Sequence, residues 1–113
     1  MSKGEAVPAQ SDPTPVFAAL GDPTRLALLA KLSDGEPRSI SALSADSAIT
    51  RQAVTKHLRV LEQAGLVRGK RVGRESRFVF RPDPVMEARR YLEAVSSQWD
   101  VTLERLRAFV EGE

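Results

Sequence analysis

Apolar side chains in this chain recur first at the period of a helix, then briefly at that of a strand, then again at that of a helix. Leu26, Leu29, Ala30 and Leu32 fall at helical spacing after Asp22-Pro23. Asp offers a side-chain oxygen to free backbone N–H groups, and Pro loses nothing at a first helical position, so the pair starts a helix that ends near Asp34-Gly35. A shorter apolar stretch, PVFAAL, precedes it over 15–20 and stops at Gly21, a residue suited to the left-handed conformation past a helix end. Ser39 and Thr50 are placed to cap a short helix over 40–45 and a longer one over 51–64, which ends at Gly65. In the longer helix Val54, Leu58 and Leu61 share one side, Gln52, Lys56 and Arg59 lie opposite, and Thr55 and Val60 flank them.

The period then drops to two. Strands are expected over 66–71 and 76–81, where Phe78 and Phe80 alternate with Arg77, Val79 and Arg81, and Val72-Gly73-Arg74-Glu75 makes the hairpin tip. Pro82 and Pro84 break the second strand, and Asp83 is placed to cap a last helix over about 84–111. Along it Val85, Leu92, Trp99 and Leu106 recur every seven residues, as do Ala88, Val95, Thr102 and Phe109. That stripe outruns any core the rest of the chain can build. The fold class is mainly α with a small β-hairpin (α+β): a polar arm over 1–14, then one domain over 15–113.

Composition narrows the function. The chain has 113 residues, 42% of them hydrophobic and 28% charged, as in an ordinary single-domain protein. It has no Cys, so disulfides and thiolate metal ligands are excluded. No apolar run approaches the roughly 20 residues that span a bilayer, and the N-terminus lacks an apolar signal core, so the expected location is the cytoplasm, away from membranes. Charge is the informative quantity. Residues 51–81 carry nine Lys and Arg against Glu62 and Glu75, a net +7 in a chain of net +2. Basicity gathered in one segment marks a surface that meets a polyanion.

The short helix, turn and longer helix make a helix-turn-helix, whose second helix enters the major groove of double-stranded DNA with its N-terminal side chains on base edges. Gln pairs bidentately with adenine, Arg and Lys with guanine acceptors, and a Thr methyl meets the thymine methyl. Gln52, Thr55, Lys56 and Arg59 therefore stand as base-reading or base-flanking residues. Arg51, His57, Arg71, Arg74 and Arg77 are assigned to the phosphate backbone, with packing within the fold as the alternative for His57, and Thr50 and Lys70 to the same surface. A basic hairpin directly after a helix-turn-helix makes it a winged helix. On the last helix Val85, Leu92, Val95, Trp99, Leu106 and Phe109 are candidates for a homodimer interface, joined by Val16, Phe17 and Leu20 of the first helix; Trp99 could instead line an effector pocket. Asp22, Asp34 and Asp46 sit at helix ends, where capping explains them, and no Ser-His-acid order or Gly-rich phosphate loop is present, so no enzyme is expected. The alternative is a winged helix used for protein contact, which would not need this concentration of positive charge.

The runs ALGDPTRLALLAKL, TRQAVTKHLRVLEQAGLV and GKRVGRESRFVF resemble the arsenic-repressor-type (ArsR-like) family of bacterial winged helix-turn-helix regulators, from Phe17 into the last helix. The resemblance implies a homodimeric repressor that occupies an operator, is held at the nucleoid and is released by an effector. Metal-sensing members carry Cys-x-Cys before the recognition helix, where this chain has SISALSAD; others place His and acids in the last helix. This chain has a single His, His57, so the expected branch is the metal-independent one, with no metal site, no cofactor and an unidentified small-molecule effector. A metal-responsive repressor with a non-cysteine site is the remaining alternative.

Overall fold

A computed structural model of the chain describes residues 12–112, so residues 1–11 of the arm expected over 1–14 lie outside the described residues, while Thr14 already belongs to a helix. Eight elements follow in order: α1 (Thr14–Leu20), α2 (Pro23–Leu32), β1 (Arg38–Ser39), α3 (Ile40–Ser44), α4 (Arg51–Gln63), β2 (Val67–Val72), β3 (Glu75–Phe80) and α5 (Asp83–Glu111). The helix starts obey local hydrogen-bond chemistry. Asp22 accepts from the Arg25 N–H, Ser39 from Ala42 and Thr50 from Ala53, so three helices begin on side-chain caps. At the other end of α4 the Gly65 N–H donates to the Glu62 carbonyl and the Leu66 N–H to that of Leu61. This pairing needs a left-handed residue, and Gly65 supplies it with φ 79°.

Several expectations change. Gly21 has φ −82°, not a left-handed value, because its N–H closes a tight turn onto the Ala18 carbonyl and the chain passes straight into the extended Asp22 cap. Asp83 does not cap α5. Pro82 occupies the cap position without a side-chain acceptor, leaving Asp83 as the first helical residue, where its charge favours the helix N-terminus. Of the three end aspartates only Asp22 caps a helix; Asp34 instead takes the Arg38 guanidinium and the Glu36 N–H. The sheet has a third strand: β1 pairs antiparallel with β3, giving the order β1-β3-β2. Two residues are too few for periodicity to announce.

The core explains the arrangement. Leu32 of α2, Leu43 of α3, Val54, Leu58 and Leu61 of α4, and Leu66 have no exposed surface. Val67 and Phe78 close the sheet side, and Val16 and Ala19 bring α1 in. α5 is different: only Ala88 is buried, and the helix runs on for 29 residues, about 43 Å. The polar face of α4 and the loop between β2 and β3 are thereby fixed on one rigid body.

Replacing Leu58 by Ala removes side-chain atoms that no solvent reaches, and is expected to lower unfolding stability by about 2–5 kcal/mol in a urea titration. A loss under about 1 kcal/mol would mean that α4 is not held by this contact.

Candidate nucleic-acid interface

With Val54, Leu58 and Leu61 turned inward, Arg51, Gln52, Lys56 and Arg59 stand exposed on the opposite side of α4. Thr50 spends its hydroxyl on the cap, and Thr55 donates its own to the Arg51 carbonyl at 2.8 Å, which leaves its methyl as the contact group. α3 and α4 are joined by residues 45–50, the helix-turn-helix geometry.

The hairpin is tighter than its sequence suggested. β2 extends to Val72 and β3 begins at Glu75, in register with each other, so Gly73 and Arg74 alone form the tip. Alternation puts Val67, Gly69 and Arg71 opposite Phe80, Phe78 and Ser76 on the inner face, while Lys70 lies across from Arg77 on the outer one. Two cations directly opposite destabilise a strand pair unless a counter-charge lies over them. Arg77 holds Glu75 at 3.0 Å. The remaining imbalance suits an external anion.

The helix and wing converge at two crevices. One of about 220 Å3 brings Thr55 and Arg59 of α4 together with Lys70 and Arg71 of β2. Another of about 180 Å3 brings Arg51, at the start of α4, beside Arg74 at the wing tip. A tie absent from the sequence reading fixes this geometry: Glu62 Oε2 accepts the Gly69 N–H at 3.2 Å. The strand is close there: a Cβ on Gly69 would lie 3.0 Å from the Phe78 ring and 3.1 Å from the Glu62 carboxylate, so a larger residue makes these side chains give by a few tenths of an ångström.

His57 faces α2. Its Nδ1 lies 3.2 Å from Arg25 Nη1 and 3.9 Å from Asp22 Oδ2. A guanidinium only donates, so Nδ1 accepts and the ring proton sits on Nε2. The Asp22 carboxyl is held below the usual carboxylate range, first by the Arg25 N–H, against desolvation, with the Arg25 charge adding to the effect. Among the described residues no three His, Asp or Glu side chains gather into a group that could hold a metal ion. No helix among them is long and apolar enough to cross a membrane.

The expected interface residues divide. Val16 is buried in its own core, with Phe17, Leu20 and Val85 packed against it. Phe17 meets Tyr91 of α5 at 6.0 Å between ring centroids, so α1 and α5 are joined within one chain. Val95 is half-buried, whereas Leu92, Trp99, Leu106 and Phe109 are open, Trp99 at 59% and Phe109 at 72% of full exposure. Leu103 and Val110, also exposed, share the face of Leu92, Trp99 and Leu106. A strict seven-residue count skips them, but Leu103 lies four residues from Trp99 and three from Leu106, and Val110 four from Leu106, which discloses them.

Comparisons with known proteins agree with this geometry. A family profile described as a helix-turn-helix domain matches residues 20–70. The uncharacterized HTH-type transcriptional regulator YuzN of Bacillus subtilis is 42% identical, with 62% of this chain and 83% of that protein covered. The ArsR-like transcriptional regulator from Rhodococcus sp. RHA1 superimposes with a TM-score of 0.75 at 36% identity, over 86% of this chain and 91% of that one. This chain belongs to the ArsR-like family of helix-turn-helix transcriptional regulators. A more distant structure shares the fold of this ArsR-like regulator: the homodimeric winged helix-turn-helix DNA-binding domain Mb0332 of Mycobacterium bovis, TM-score 0.59 at 23% identity, over 75% of this chain and 78% of that one. The regulator thus carries a helix-turn-helix domain over residues 20–70, within which α3 and α4 are the two helices of the motif.

Because Asp22 has a lowered pKa in the fold, its contribution to stability is present above the ordinary carboxylate value of about 3.9 and is lost as pH falls through the folded value. Melting temperature is expected to drop as pH is lowered from about 5 toward 2, and Asp22→Asn to drop less steeply over that range. Parallel curves would deny Asp22 this role.

Proposed function

We propose that two copies of this regulator pair through α1 and α5 and set their α4 helices in successive major grooves, about 34 Å apart, on a pseudo-palindromic operator. The observation that carries this reading is that α4 and wing cations line shared crevices, Arg59 with Lys70 and Arg71 in one and Arg51 with Arg74 in the other. Phosphate pairing supplies most of the affinity and base edges supply the choice of sequence. Gln52, Thr55, Lys56 and Arg59 read or flank bases; Arg51, His57, Arg71, Arg74 and Arg77 hold the backbone, with Thr50 and Lys70 beside them. Pairing is supported by the open strip of Leu92, Trp99, Leu103, Leu106 and Val110, which no residue of the same chain covers among those described. Family membership supports repression of transcription, with release by a small-molecule effector that binds the DNA-competent and released states with different affinity.

Footprinting of the promoter upstream of its own gene tests the reading; a winged helix used for protein contact leaves no footprint. Gln52→Ala is expected to relax sequence preference at one position, whereas Arg74→Ala weakens specific and random DNA alike and flattens the salt dependence by roughly one unit. Equal losses of discrimination in both variants would refute that division.

Trp99→Ala removes a large apolar group from the proposed seam. Covered by a partner, Trp99 is worth about 3–5 kcal/mol to the pair, so sedimentation should show dissociation at concentrations where the wild type is dimeric. An unchanged dimer would place the seam elsewhere.

A further inference from the structure

Arg25 has no place on the α4–wing face, yet its side chain makes the most directed set of hydrogen bonds in the described structure. Its Nε donates to the Ala19 carbonyl at 2.7 Å and its Nη2 to the Ala18 carbonyl at 3.3 Å, both in the last turn of α1. Its Nη1 donates to His57 Nδ1 at 3.2 Å, on α4. Its own backbone N–H is held by the Asp22 cap at 3.0 Å. One planar guanidinium therefore joins three helices: anchored on α2, it grips the end of α1 and the middle of α4. Lys, a point charge on a flexible stem, cannot reproduce a fork with these directions.

We infer that Arg25 is a positioning residue for DNA recognition, setting the angle of α4 against the α1 end of the dimer platform so that two recognition helices match the spacing of two half-sites. The inference rests on the proposed pairing through α1 and α5. Its physical basis is that a helix-turn-helix dimer reads the distance between half-sites as well as their bases, so a small rotation of α4 about its leucine contacts misaligns both copies at once. Apolar packing alone leaves such a rotation cheap, because it is non-directional; a fork of hydrogen bonds does not. The same contact fixes the His57 tautomer, leaving the Nε2–H as the donor available to a phosphate. Arg25 itself touches no DNA in this scheme.

The test compares wild type with Arg25→Lys, which keeps the charge and loses the fork, on three duplexes: the footprinted promoter site, the same site with its half-sites moved apart by one base pair, and a random duplex of equal length. Each is titrated at several salt concentrations. The expected result for Arg25→Lys is a roughly tenfold loss on the promoter site, a smaller penalty than wild type for the altered spacing, and unchanged affinity and salt slope on random DNA. A loss shared equally by all three duplexes would mean that Arg25 only stabilises the fold, and would overturn the inference. So would a shallower salt slope in Arg25→Gln, which would place the guanidinium on a phosphate. Should Arg25→Lys give no cooperative melt, His57→Leu and His57→Asn address the same bond from α4: both lose Nε2, and only Asn returns an acceptor near the Nδ1 position. Recovery of spacing discrimination by Asn over Leu is the expected outcome, and identical behaviour overturns the inference. A wild type that holds promoter and random DNA equally overturns the DNA reading and this inference with it; a discriminating wild type beside an equally discriminating Arg25→Lys overturns the inference alone.

Discussion

Withdrawal of Val54, Leu58 and Leu61 from solvent is the constraint on which the rest of the molecule depends. These side chains meet Leu32, Leu43 and Leu66 in one apolar cluster, and the rotation of α4 that buries them is the rotation that turns Arg51, Gln52, Lys56 and Arg59 outward. Hydrophobic burial therefore orients charged groups it never touches. The Gly65 turn extends the effect: it sends the chain from α4 directly into Leu66 and Val67, both buried, and so starts the wing at a fixed place beside the helix.

Directed polar contacts refine what apolar packing leaves loose. Glu62 holds the base of the wing to α4 through the Gly69 N–H, and Arg25 holds α4 to the end of α1 through His57. Both ties are partly exposed, so each adds little to net stability. Their value lies in geometry. The Lys70–Arg77 opposition on the wing is the reverse case, an arrangement that disfavours the free protein and becomes favourable beside an anion. α5 carries the same logic in apolar form, since Trp99, Leu106 and Phe109 are left open by a core too small to cover them.

Much of this was legible in the order of residues because the deciding interactions are local. Caps at Asp22, Ser39 and Thr50, the stop at Gly65, the period of α4 and the alternation around Phe78 each depend on residues within a turn or a strand of one another, and all stand as expected. The crowding of cations between Arg51 and Arg81 is a property of composition, so it too could be read without coordinates. Where local signals conflict, sequence order misleads: Asp83 has the chemistry of a cap, but Pro82 takes that position, and Gly21 takes an ordinary negative φ because Asp22 follows at once.

What the sequence by itself determined is the set of elements, the amphipathic face of each and the sign of the charge between 51 and 81. What only the tertiary structure decided is which distant groups come together: Arg25 with His57, Glu62 with Gly69, β1 with β3, and Arg51 and Arg74 on the walls of one crevice. The reason is physical. Periodicity and capping are set by neighbours a few residues apart, whereas these pairings depend on how whole elements pack, and no short-range signal specifies the distance between the faces of two helices or between a helix and a hairpin.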